Sequence, residues 1–437
     1  MKLVYDVKDK PSFGKTLVFA LQQLLAIMAA TIAVPMIISG SYDSVGDVSM
    51  STAAALFGAG VGTLVYLLFT KFRSPVFLGS SFAFLGSMSA AFAGAASMQA
   101  GYLGLIIGAV LAGLVYVVIA LVVKIAGVGW IDKLMPAVVI GPTVAIIGLS
   151  LSGNAVGDLV KGSVLNAEGV PVANTYIALL CGLVTLAVTM LCSTYGKKMI
   201  KMIPFIIGIV AGYAVAAIFT VIGKAAGVEA LQVINFSAFE NMQWLPDFTF
   251  LEAFKGVKDI SGGYIATLAV AYVPVAFVVF AEHIADHKNI SSIIEKDLLK
   301  EPGLHRTLLG DGVGSMLGAF FGGCPNTTYG ESVGCVAISG NASVVTILTT
   351  AILAIVIAFV APFIAFLSTI PSCVMGGVCI ALYGFIAVSG LKMIQNVDLG
   401  DNRNLFVVSV ILIAGVGGLT LNFGKVTLTQ VACALIL

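Results

Sequence analysis

Long apolar runs separated by short polar stretches recur along this chain from residue 15 onward. Eleven are long enough to cross a bilayer as helices: 15–38, 50–70, 99–124, 130–152, 174–192, 202–223, 261–285, 305–322, 343–369, 371–391 and 404–423. Two more, 75–92 and 323–340, are apolar overall but interrupted by Gly, Ser, Thr and Pro. A last run starts near Val426 and reaches Leu437, too short to span as it stands. The pattern predicts an all-α polytopic membrane protein with fourteen transmembrane segments.

The interrupted runs need a separate physical account. Residues 320–334 carry a proline, several glycines, hydroxyl and amide side chains and Glu331. Hydrocarbon does not accept exposed backbone groups or charges, so such a stretch must be buried in protein and line a cavity. It is expected to run extended and then helical, with Glu331 at the opening of the helical part. The stretch Phe77-Leu-Gly-Ser-Ser-Phe-Ala-Phe84 reads in the same way.

Fourteen segments divide into two sevens, and each seven has its interrupted segment third. Seven is odd, so the two halves are expected to be inverted repeats. Corresponding broken segments in inverted halves point to a binding site near the midplane.

Charge fixes an orientation. With the N-terminus inside, seventeen of the 22 Lys and Arg residues fall on the inner side, a strong positive-inside bias. Residues 224–260 are then an outer loop with Phe236, Phe239, Trp244, Phe248 and Phe250, expected to form a cap. Residues 286–304 face inside and read as a short amphipathic helix.

Composition narrows the function class. The chain is 59% hydrophobic and 10% charged, with a mean hydropathy of +1.09 and a net charge of +1. That balance gives no reason to expect a nucleic-acid partner. Seven cysteines without a CxxC pair, and only three histidines, offer no disulfide or zinc framework. No nucleophile–base set or phosphate loop suggests an enzyme. No cofactor or metal is expected.

Few ionisable residues fall within spans. Glu282 and Glu331 are the best placed. A carboxylate left charged at the bilayer centre costs about 2.5–3.5 kcal/mol, so it pairs or takes up a proton. A group that exchanges a proton there suits a proton-coupled carrier. Asp286 follows Glu282 by one helical turn on the same face. His283 and His287 form a second such pair on an adjoining face, with no third metal ligand nearby, and His287 is read as interfacial. Asp311 is read as a cap or a pairing partner. Phe82 and Tyr329 are the aromatics of the two broken segments, beside backbone N–H groups freed where the chain leaves helical geometry. A flat, polar heteroaromatic ligand suits such a place.

These motifs carry a resemblance. Phe77-Leu-Gly-Ser-Ser-Phe-Ala-Phe84, Ala281-Glu-His-Ile284, Pro302-Gly-Leu-His-Arg306, Phe321-Gly-Gly-Cys-Pro-Asn-Thr-Thr-Tyr-Gly-Glu331 and Val374-Met-Gly-Gly with Leu382-Tyr-Gly match. The chain resembles the nucleobase/ascorbate transporter family, and within it the uracil permease branch, over essentially its whole length. The resemblance implies a proton-coupled importer of uracil working by alternating access in the cytoplasmic membrane of a bacterium. It implies a strand followed by a half-helix in segments 3 and 10. It also implies a core domain of residues 1–127 and 261–369, a gate domain of 128–225 and 370–437, and an outer loop of 226–260. Glu282 and Glu331 would bond the pyrimidine ring, with backbone N–H groups near Phe82 and Gly330 meeting its carbonyls. Tyr329 would line the site and Tyr383 cover it from the gate, through which the chain would pair as a homodimer.

Two positions depart from the family pattern. Bacterial uracil permeases have a histidine four residues after the first glutamate, where this chain has Asp286. The first segment has Gln22-Gln23 in place of Gln-His. The proton-linked role therefore falls to Asp286 or to Glu282 itself, with Glu331 the other site carboxylate that can take part. The competing readings are a purine (xanthine or urate) permease, disfavoured by the motif at 325–331, and an anion transporter of related fold, disfavoured by carboxylates at the site.

Overall fold

The computed structural model describes residues 3–127, 129–130, 136–166, 170–197, 199–240, 242–395, 397–423, 426–428 and 433–434. Among them, eight helices are long and apolar enough to cross a membrane. They are α1 (Phe13–Ile38), α2 (Thr52–Phe69), α4 (Met98–Ala126), the Ala137–Leu159 run, α5 (Thr175–Tyr195), α6 (Pro204–Ala226), α7 (Gly262–Ile294) and α11 (Ser372–Met393). Between α2 and α4 lies the shorter α3 (Leu85–Ala93). Between α7 and α11 lie α8 (Leu304–Gly322), α9 (Gly330–Ser339) and α10 (Val344–Ile357).

Several expected segments take another form. The run at 343–369 is α10 and a second helix, Ala361–Ser368, bent by 83° at the break. Pro362 opens the second helix, where its missing N–H costs nothing. Residues 286–294 are not a separate amphipathic helix but the last turns of α7, which ends where Glu295 adopts a left-handed conformation (φ 53°). The chain then turns through Leu299–Gly303 into α8. The run from Val426 begins as a strand, Val426–Leu428, paired antiparallel with Leu421–Phe423. The rest of that expected segment lies mostly outside the described residues.

The chain forms two compact units. The first contains residues 1–147, 246–358 and 387–437, and the second 148–245 and 359–386. Lipid chains are as apolar as leucine, so helices in a bilayer associate by close packing and not by hydrophobic burial. Both units pack through small residues. In the first, Gly58 and Gly62 of α2 face Gly314 and Gly318 of α8. A Cβ at Gly58 would stand 2.7 Å from the Gly318 carbonyl oxygen, and one at Gly62 2.8 Å from that of Gly314. In the second, Gly208 and Gly212 of α6 accept Thr189 and Thr185 of α5, and Gly376 of α11 lies against Ala155 and Leu159.

The expected outer cap at 224–260 divides between the units at residue 245. Its second part packs: Phe248 and Phe250 join Phe57, Phe320 and Phe321 in an aromatic cluster with ring centroids 4.8–6.0 Å apart. Trp244, by contrast, is 64% exposed.

Candidate functional site

The two interrupted segments meet. After a short hairpin of β1 (Gly40–Tyr42) and β2 (Gly46–Val48), the next two strands, β3 (Leu78–Ser80) and β4 (Asn326–Thr328), form a two-stranded antiparallel ribbon, fully buried, with Leu78 opposite Thr328 and Ser80 opposite Asn326. Tyr329 N–H donates to the Phe77 carbonyl (3.1 Å) and Ser81 N–H to the Pro325 carbonyl (2.9 Å), extending the ribbon at both ends.

A buried ribbon must satisfy its outer edges, and side chains do so here. Thr63 of α2 accepts from Leu78 N–H (2.9 Å), and Ser332 accepts from Phe77 N–H (3.0 Å). Ser332 is itself held by the Gln23 amide of α1. Asn326 donates to the Gly58 carbonyl (3.1 Å), in the space the α2–α8 glycines leave. The Tyr329 hydroxyl donates to the Ser80 carbonyl (2.7 Å), and its ring lies over Gly79. Sequence reading missed Thr63, Ser332 and Asn326 because their partners are distant in the chain. Ser332 does follow the Asn-Thr-Thr-Tyr-Gly-Glu motif directly.

From opposite ends of the ribbon the chain becomes helical. After β3 comes a 3-10 turn, Phe82–Phe84, and then α3; after β4, α9 starts at Gly330. The antiparallel pairing means the two half-helices leave in opposite directions, as inverted halves require. The first N–H groups of each have no acceptor within their own helix. Those of α9 lie beside Glu331, in its first turn.

α7 brings the other carboxylates. Asp286 accepts from the Thr328 hydroxyl of β4 (2.8 Å). Gly330 is exposed, and among the described residues the only atom a Cβ there would approach within 4 Å is Asp286 Oδ1, at 3.7 Å. An open space thus adjoins the strand–helix junction with Asp286 at its edge. Glu282, Asp286, Glu331 and Phe82 are all half-buried. Glu282 lies near Glu331 and Asp311, and Asp286 lies near all three. Among the described residues no ion pair involves Glu282, Asp286 or Glu331. Phe82 packs on the cluster containing Leu78, Tyr329 and Val333.

Six of the sequence-predicted residues therefore gather in the first unit: Phe82, Glu282, Asp286, Tyr329, Gly330 and Glu331. Tyr383 belongs to the second unit, where it is buried and bonded to Cys379.

The adjoining face of α7 corrects one expectation. His287 is not interfacial but fully buried, with Nδ1 2.8 Å from the His283 carbonyl oxygen and Nε2 2.7 Å from the Tyr66 hydroxyl. His283 is equally buried, bonded to Asp311 (2.7 Å) and Thr307 (3.0 Å) of α8. The two imidazoles stack at 4.0 Å. With their nitrogens engaged in this way, neither ring is poised to bind a metal. Asp311 pairs as the sequence allowed. One face of α7 is thus bolted to α2 and α8, and the adjoining face presents Glu282 and Asp286 to the broken segments.

Known proteins resemble the chain in sequence and in fold. The chain is 40% identical over 423 residues to the uracil permease of Bacillus caldolyticus, covering 96% of this chain and 89% of that one. It is 38% identical to the uracil permease of Bacillus subtilis (95% and 89% covered) and 34% identical to that of Escherichia coli K12 (98% and 91% covered). Among solved structures, the transmembrane domain of the cyanobacterial bicarbonate transporter BicA superposes with a TM-score of 0.61 at 15% identity, covering 94% of this chain and 98% of that one. Murine Solute Carrier 26 family member A9, in its inward-facing state, gives 0.61 at 13% identity, covering 98% and 67%. At those identities the likeness is one of fold. The model of the Permease family matches residues 14–423, and with relatives this similar over nearly the whole length, the chain belongs to that family.

Proposed function

We propose that this permease takes up uracil across the bacterial cytoplasmic membrane in symport with a proton, by alternating access. The observation that carries the reading is the meeting of Glu282, Asp286 and Glu331 at the crossing of two broken segments, in a chain 34–40% identical to uracil permeases. Uracil offers ring N–H donors and carbonyl acceptors. Glu282 and Glu331 accept from the ring N–H groups, and backbone N–H groups near Phe82 and Gly330 donate to the carbonyls. Phe82 covers the ring. Tyr329, whose hydroxyl is spent on Ser80, shapes the wall and holds the ribbon.

The proton is carried by Asp286 or Glu282, with Glu331 the remaining acidic partner. Binding is reciprocal, so proton and base must strengthen each other. A neutral base moving with one proton carries charge, so a membrane potential, negative inside, drives uptake. The excess of Lys and Arg on one side supports an N-terminus inside the cell.

The test combines uptake and binding. Labelled uracil should accumulate in proteoliposomes under an inward proton gradient and stop when a protonophore collapses it. In a thermal-shift panel at several pH values, uracil should stabilise the purified protein most. Stabilisation by xanthine alone would move the reading to purines. Stabilisation by halide or sulfate but by no base would overturn it.

A further inference from the structure

Beside the carboxylates of α7, a buried chain of polar contacts constrains where protons lie. The Thr307 hydroxyl has one hydrogen and lies 3.0 Å from the Leu304 carbonyl, which can only accept, and 3.0 Å from His283 Nε2. Both contacts are hydrogen bonds only where the hydroxyl donates to Leu304 and accepts from Nε2, and Nε2 then carries a hydrogen. The other ring nitrogen faces Asp311 Oδ2 at 2.7 Å. If Nδ1 were bare and Asp311 ionised, two acceptors would face each other at that distance, which is repulsive. A proton must occupy the bridge.

We propose that His283 and Asp311 form an electrically neutral dyad, with one hydrogen on Nε2 and a further proton shared between Nδ1 and Asp311 Oδ2. A second observation supports it. Asp311 Oδ1 is buried with no hydrogen-bond partner, and among the described residues the side chain pairs with no Lys or Arg. An ionised carboxylate beside a neutral imidazole would be a lone buried charge with an orphaned oxygen, a costly arrangement at membrane depth. In the neutral dyad that oxygen is the carbonyl of an acid or half of a balanced ion pair.

Among the described residues, no Lys or Arg pairs with the dyad. The groups facing it are, from α7, Glu282, Asp286 and His287; from α4, Tyr116, whose ring stands edge-on to His283 at 6.4 Å; and from α2, Tyr66 through His287. Neutralising Asp311 removes one negative charge from the surroundings of Glu282 and Asp286. The dyad is thus a positioning pair: it ties α7 to α8 and leaves proton exchange to the carboxylates on the other face. This assignment holds whichever base is carried.

With three histidines in the chain, the test is a nitrogen-15 histidine spectrum of the full protein in lipid bilayers at neutral pH. His305→Gln and His287→Gln assign the signals. His283 Nε2 should appear as a nitrogen bearing hydrogen. A bare Nε2 with hydrogen only on Nδ1 would mean an ionised Asp311 and overturn the proposal. Asp311→Asn adds a second reading. An amide is neutral as the dyad is, so the pH profile of uptake should persist. Loss of the pH dependence in that variant would place proton exchange in the dyad and overturn its assignment as a positioning pair.

Discussion

The two broken segments use one backbone device for different chemistry. Each enters as a three-residue strand and leaves as a short helix, and each strand satisfies the other. The first, through Phe82 and α3, carries no charged side chain and passes through a 3-10 turn before its helix forms. The second becomes helical at once, at a glycine, and sets Glu331 in the first turn with Asp286 alongside. Half-helix N-termini carry partial positive charge, which favours an anionic group there. Only the second segment uses it for a carboxylate of its own. Symmetry supplies the scaffold, and departures from symmetry supply the chemistry.

The largest effect that tests this comparison is on folding. Gly318→Ala puts a methyl into the Asn326 amide beside the second strand, and overpacking of this kind costs about 1–3 kcal/mol. The melting temperature of purified protein should fall. Gly86→Ala, in the first half-helix, meets nothing within 4 Å and should leave it unchanged. Equal sensitivity of the two would break the contrast.

Next come the site groups. Hydrogen bonds to charged groups contribute about 1.5–3 kcal/mol, so Glu331→Gln should weaken uracil binding about 10- to 100-fold, read by labelled-uracil binding. Phe82→Ala should cost less, because it removes packing only.

Asp286 sharpens the comparison further. Asp286→Asn should flatten the dependence of uptake on external pH, and an unchanged profile would assign the proton to Glu282. Thr328→Val removes the hydroxyl that Asp286 accepts from, at a cost of about 1 kcal/mol, or roughly fivefold in transport affinity.

The smallest effect lies at the N-terminus. There Asp6 pairs with Lys296, and residues 4–9 bond to the 340–344 link that follows α9. The Lys296 ammonium holds the Asp6 carboxyl below its ordinary value of 3.8. A depressed folded value means the pair stabilises above that pH and the contribution fades as pH falls through the lowered value. Both side chains are partly exposed, so Asp6→Asn should cost under about 1 kcal/mol, visible as a small loss of melting temperature at neutral pH that closes in acid.

Much of this was legible in the chain itself. The apolar runs marked helices α1, α2, α4, α5, α6, α7 and α11 because hydrocarbon admits little else. The breakers at 77–84 and 325–331 marked the broken segments for the same reason. Segment ends were harder to read. Nothing local distinguishes a span from the 83° bend between α10 and Ala361–Ser368, or shows that residues 286–294 simply continue α7.

His287 shows why the rest was hidden. In the sequence it is a polar residue near the end of an apolar run, where interfacial placement is the natural expectation. Its burial depends on Tyr66, more than two hundred residues earlier, arriving with a hydroxyl at the right distance. Ser332 depends likewise on Gln23. The sequence by itself determined that polar, broken backbone had to be enclosed at membrane depth and that carboxylates lay near it, because desolvation penalties act on any residue placed there. Only the tertiary structure decided which distant groups satisfy that backbone, and that Asp286 meets Thr328 while Asp311 meets His283, because hydrogen bonds are set by geometry over a few ångströms and not by order along the chain.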